Sequence, residues 1–193
     1  MTILAENRKY SVEEYFELEK YSELRHEYVN GKIIPMPGES INANLIADNC
    51  GFYLRTQLSK KGYIIIRHDV RTIINKRKIY RYPDVAVGKL SEITETHAIT
   101  KPEILIEVTS ENSTKTDHDD KLKQYISLES LQYYIIISQE EMLIEIYSRT
   151  DKSWQFDVFA DSTDIINLPH CGCHLKLSDI YENVTFAESK SDK

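Results

Sequence analysis

Glu107 interrupts an otherwise apolar run, Ile104-Leu105-Ile106-Glu107-Val108. A strand that is apolar on both sides of a charge is usually buried on both faces. An ionised carboxylate stranded there costs several kcal/mol unless it is paired or binds a metal. Asp84 stands in a similar context, at the mouth of Pro83-Asp-Val-Ala-Val87. Taken singly, each acid has a plain structural account: Asp84 caps a loop at a strand end, and Glu107 is half of an ion pair. Taken together, on short strands of one sheet, they read as a carboxylate pair suited to a divalent cation. Lys121 and Tyr125 follow, one helical turn apart and therefore on one helix face. Lys121 reads either as a solvated helix residue or as the cation that balances the acids, whereas Lys123 points elsewhere. Glu27, in Arg25-His-Glu-Tyr-Val29, reads either as an exposed edge-strand acid or as a further member of the group.

The elements that must position these residues can be read from pattern. Ser11-Val-Glu-Glu14 is a capping box opening a short helix to about Tyr21, with Tyr15, Phe16 and Leu18 inward. Asn30-Gly31 between Val29 and Ile33 signals a hairpin that carries Glu27. Ser40 to Lys61 reads as a helix capped by Gly62. Tyr63–Arg67, Val70–Ile74 and Tyr82–Val87 are strand-like, and Asn75-Lys-Arg-Lys78 is a basic turn. Residues 89–102 read as a connecting loop. Ile104–Thr109 is a central strand, Asp117–Glu129 a helix with Asp117 as its N-cap, and Tyr133–Ser138 a second apolar strand. Strand, helix, strand in that order implies a parallel crossover that brings the helix over the end of the strand bearing Glu107. Leu143–Tyr147 and Trp154–Phe159 form an antiparallel tail, and Asp179–Asn183 a helical turn.

Several chemistries are excluded. The six glycines are not spaced for a dinucleotide fingerprint or a phosphate loop. No GxSxG elbow exists for a serine hydrolase. His170-Cys-Gly-Cys-His174 has zinc-binding residue types, but one tight loop lacks the reach for a structural site, so it reads as a polar turn. A net charge of −7 argues against a protein that coats nucleic acid by charge alone, though not against an enzyme whose acidic cluster binds metal. Three cysteines do not make a disulfide framework, and no run approaches the length of a membrane span. The expectation is a cytoplasmic protein, a single domain over 1–193 with its core at about 10–184.

Tyr-Pro-Asp84 followed by Ile-Glu107-Val resembles the PD-(D/E)XK nuclease superfamily. More closely, the chain resembles the bacterial family, abundant in cyanobacteria, described as putative restriction endonucleases. SVEEYFELE, RHEYVNGKIIPMP, YPDVAV, KPEILIEVTSENSTKTDHDDKLKQY and LPHCGCHLKLSDIYENV carry the resemblance, from about residue 10 to 184. It implies an α/β fold: a restriction-endonuclease-like core, a mixed β-sheet flanked by helices. It also implies an active site of Asp84, Glu107 and a lysine, with Glu27 as a further ligand or water-positioning group; Tyr125, on the helix face of Lys121, is a candidate to support them. The parent motif sets its lysine two residues after the acid, where this chain has Thr109; the family moves it to the following helix, and Lys121 matches. Near Asn42, relatives often carry histidine.

The implied activity is Mg²⁺-dependent hydrolysis of DNA phosphodiester bonds, with Mn²⁺ as an alternative ion. Asp84 and Glu107 would hold the metal that activates the attacking water, and Lys121 would orient that water. Arg67, Arg71, Lys76, Arg77, Lys78 and Arg81 could lie along a phosphate backbone, or form a solvated hairpin. Double-strand cleavage commonly pairs two sites, which implies a homodimer. The second reading, from another class, is an inactive nuclease-fold module that binds nucleic acid or protein.

Overall fold

The computed structural model describes residues 8–36, 38–110 and 115–186, the side chains of 115–117 excepted. In chain order the elements are α1 (Val12–Tyr21), β1 (His26–Val29), β2 (Lys32–Pro35), α2 (Ile41–Leu58), β3 (Tyr63–Arg67), β4 (Arg71–Ile74), β5 (Ile79–Arg81), β6 (Val85–Lys89), β7 (Ala98–Ile99), β8 (Pro102–Thr109), α3 (Lys115–Ile126), β9 (Tyr133–Ser138), β10 (Ile144–Arg149), β11 (Trp154–Phe159), β12 (Ile165–Leu168), β13 (Cys173–Lys176) and α4 (Leu177–Ile180). They build a six-stranded sheet, β11-β10-β9-β8-β6-β3, a five-stranded sheet, β2-β1-β5-β4-β7, and the hairpin β12-β13.

The central strands of the six-stranded sheet, β6, β8 and β9, are buried on both faces, which is why they read as largely apolar runs. Val85, Val87, Ile104, Ile106, Ile135 and Ile137 pack under Ile46, Ala47, Cys50, Leu54 and Leu58 of α2. The alternate residues Ala86, Leu105, Tyr134 and Ile136 pack with Tyr125 of α3. β8 and β9 are parallel with α3 between them, as the strand-helix-strand order predicts. β9, β10 and β11 are successively antiparallel. The result is a mixed α/β architecture, with sheets flanked by helices.

Four local expectations need correction. α1 has both hydrogen bonds of its capping box, but Phe16 is 38% exposed, and Tyr15 and Glu19 are the buried residues. Glu19 accepts from Tyr82 Oη and pairs with His26 Nδ1, so its burial is compensated. α3 begins at Lys115, so Asp117 lies inside the helix rather than at its cap; the Asp117 side chain is outside those described. The strand expected over Tyr82–Val87 is instead the junction of β5 and β6, which belong to different sheets. Pro83 has no N–H to give a ladder, and Tyr82-Pro83-Asp84 is the stretch that crosses from one sheet to the other. The loop expected over residues 89–102 also contains β7, paired in parallel with β4.

Candidate active site

Register places the two acids. β3 and β6 pair with Arg67 opposite Val85, and β6 and β8 pair with Val85 opposite Ile106. Carried one step further, the same register sets His68, Asp84 and Glu107 in file across three adjacent strands. The His68 amide donates to the Asp84 carbonyl at 3.2 Å, at the last rung of that ladder. Asp84 thus stands beside Glu107, and the pleat starts both side chains on the face covered by α3.

The side chains are held by specific donors. The Val108 amide donates to Asp84 Oδ2 at 2.6 Å. Glu107 accepts from Tyr125 Oη at 2.6 Å through Oε1 and from Lys121 Nζ at 2.9 Å through Oε2. Lys121 and Tyr125, one turn apart on α3, therefore grip both oxygens of one carboxylate. Lys123 is exposed and points away. Glu27 reaches the group from β1 in the other sheet: its Oε1 lies 4.0 Å from Lys121 Nζ and accepts from the Tyr82 amide at 3.4 Å, while its Oε2 pairs with Arg81. Glu27, Asp84, Glu107, Lys121 and Tyr125 are brought together.

Electrostatics follow from this crowding. Burial, reinforced by the charge of Glu107, pushes the Asp84 carboxyl up to about 8. Burial also raises Glu27, against the opposing pull of Lys121 and Arg81. Burial and the neighbouring acids raise Tyr125 well above the usual phenol range, so it serves as a neutral donor to Glu107. A cation placed here would favour the ionised acids, and carboxylate donors are what a hard divalent ion takes.

The basic segment divides. Arg81 is only 2% exposed and is committed to Glu27 and Gln124, so it cannot lie along a phosphate backbone. Burial of Glu27 demanded an internal partner, which a run of basic residues did not disclose. Arg77 pairs with Glu95, and the Arg71 guanidinium sits 4.9 Å from the centre of the Phe16 ring. Arg67 is half-buried and pairs with Asp48. Lys76 and Lys78 are exposed on the β4–β5 turn.

Beside Asp84 opens a cleft of about 230 Å³, lined in part by Arg25, Glu39, His68, Asp69 and Tyr82. Glu39 and His68 were not among the residues expected here. Their donor atoms and that of Asp84 lie within 4.8 Å of one another. Sequence spacing does not link them, since they meet only through the start of α2 and the register of β3 with β6. In the His170–His174 stretch, Cys171 and Cys173 are buried free thiols and His174 lies on β13. Lys61 Nζ donates to the Gly172 carbonyl at 2.5 Å, tying the turn to the short 3-10 turn that follows α2.

The chain is similar to two uncharacterized proteins of Synechocystis sp. (strain ATCC 27184 / PCC 6803 / Kazusa). Protein sll1609 is 29% identical over 158 residues, covering 80% of this chain and 89% of the relative. Protein slr1290 is 27% identical over 179 residues, covering 92% and 94%. Among solved structures, the crystal structure of "a putative nuclease belonging to DUF820" from Anabaena variabilis ATCC 29413 superposes with a TM-score of 0.72 at 19% identity, covering 89% of this chain and 97% of that one. That likeness bears on the fold, a restriction-endonuclease-like core. The family model "Uma2: Putative restriction endonuclease" matches residues 12–177, and the chain belongs to that family.

Proposed function

We propose that this protein is a divalent-metal-dependent endonuclease that hydrolyses DNA phosphodiester bonds. The observation that carries the reading is the facing pair Asp84 and Glu107, with Lys121 bonded directly to Glu107. Membership of a nuclease family is in keeping with it. Asp84 and Glu107 would hold the ion, Mg²⁺ by their oxygen donors, with Mn²⁺ as the alternative. A divalent ion bound there would lower the pKa of a water molecule and neutralise charge developing at phosphorus.

The chain's own residues do the remaining work. Tyr125 fixes the Glu107 carboxylate, so its free lone pairs keep one direction. Lys121, between Glu107 and Glu27, orients the attacking water and offsets the acids. Arg81 neutralises Glu27 from the inside, which leaves Glu27 able to face Lys121. Lys76 and Lys78 are the cations of the basic turn open to phosphate. Cutting both strands takes two such sites, so a homodimer accompanies the reading.

The test separates chemistry from binding. Asp84→Ala and Glu107→Ala should abolish cleavage of DNA while gel-shift affinity survives or tightens, because neither adds a charge that repels phosphate and Glu107→Ala removes one. Loss of binding in parallel with cleavage would assign these acids to the fold rather than to the reaction.

A further inference from the structure

Asp84 is shared between two donor sets. One is the pair with Glu107 on the side of α3. The other faces the cleft, where donor atoms of Glu39, just before α2, and His68, just after β3, come within 4.8 Å of that of Asp84 and of each other. These three residues arrive from separate elements and present two carboxylates and an imidazole. We propose that Glu39, His68 and Asp84 form a second divalent-cation site, sharing Asp84 with the first and favouring Mn²⁺ over Mg²⁺. This deepens the nuclease reading and rests on it for the place of Asp84.

The geometry supports the site in three ways. His68 Nδ1 lies 3.2 Å from Glu39 Oε1, near the ~3 Å between neighbouring donors around an octahedral ion with bonds of ~2.1 Å. The Val108 amide engages only Oδ2 of Asp84, and a carboxylate has two oxygens to share between ions. His68 adopts a left-handed backbone, φ 58°, held by its amide bond to the Asp84 carbonyl and by the Val70 amide on its own carbonyl. That conformation is uncommon for a residue other than glycine, and here the chain leaves the ladder beside Asp84. Donor chemistry then selects the ion. Mg²⁺ takes oxygen ligands and releases water reluctantly, whereas imidazole suits first-row transition ions.

The experiment is a Mn²⁺ titration of the full chain without DNA, followed by electron paramagnetic resonance, with Mg²⁺ titrated in parallel by calorimetry. The parent should bind two Mn²⁺, with a nitrogen hyperfine coupling on one of them. Glu39→Gln changes an exposed residue, and His68→Asn keeps a residue type tolerant of positive φ. Each should weaken one Mn²⁺ by roughly tenfold or more, a ligand mattering at least as much as its supporting partners. His68→Asn should also erase the nitrogen coupling, and neither variant should move Mg²⁺ affinity as far. Glu107→Gln should weaken the other Mn²⁺. If the parent binds a single Mn²⁺ without nitrogen coupling, or both cleft variants bind as the parent does, Glu39 and His68 are an ion pair only. The nuclease reading would survive that result. It fails separately if the parent cuts no DNA and Glu107→Gln leaves metal binding unchanged.

Discussion

Asp84 concentrates the electrostatic cost of the site. Its carboxyl, ordinarily at 3.8, is raised to about 8 in the folded chain by burial and by Glu107. Between those values the folded state holds a proton that the unfolded state has lost. Metal-free stability contributed by this group is therefore greatest below about pH 4 and falls as pH rises toward 8. Urea melts across that range should show the decline, and Asp84→Asn should flatten it. Asp84→Ala should be as stable as the parent without metal, or more so, whereas Glu107→Ala leaves the buried Tyr125 hydroxyl without its acceptor and should be less stable. Lys121→Ala should lose most turnover in a cleavage assay, whereas Lys123→Ala, on the exposed face, should keep it. At this scale the sequence was readable where chemistry clashed with pattern, as with acids inside apolar strands. It was not readable for Glu39 and His68, whose meeting depends on strand register. Nor was it for Arg81, because a basic run looks the same whether one member is solvated or buried.

Elements convert these residues into a site. The β8-α3-β9 crossover was legible from two apolar strands around an amphipathic helix, and with it the overhang of Lys121 and Tyr125. Tyr125→Phe removes one hydrogen bond to a buried charge; it should cost about 1.5–3 kcal/mol in denaturant melts and lower turnover as Glu107 loosens. The Asn30-Gly31 hairpin was equally legible, since both residues take positive φ, 50° and 96°. The passage from β5 to β6 was not, because Tyr80 to Val87 is strand-like throughout and only Pro83 marks the change of sheet. That passage is tied down on both sides. Tyr82 donates to Glu19 at 3.0 Å, and the preceding Arg81 pairs with Glu27. Arg81→Ala strands a buried carboxylate and should cost about 3–5 kcal/mol, while Arg81→Met with Glu27→Leu should recover much of that loss.

For the molecule as a whole, the candidate site lies where the two larger sheets meet: β1 and β5 of one supply Glu27 and Arg81, β6 and β8 of the other supply Asp84 and Glu107, and α3 closes over them. The restriction-endonuclease-like fold was legible because buried strands and caps leave strong local patterns, and the family resemblance spans nearly the whole chain. No helix among the described residues is long and apolar enough to cross a membrane. Metal binding to the native state alone raises its melting temperature by mass action. Mg²⁺ should therefore raise that of the parent and leave Asp84→Ala nearly unmoved. The central claim is tested most directly by incubating plasmid, linear and single-stranded DNA with the full chain and Mg²⁺ or Mn²⁺. The parent should cut at least one of these forms, and Asp84→Ala and Glu107→Ala none. If the parent cuts no form with either ion, and its melting ignores both, the metal-dependent nuclease is contradicted.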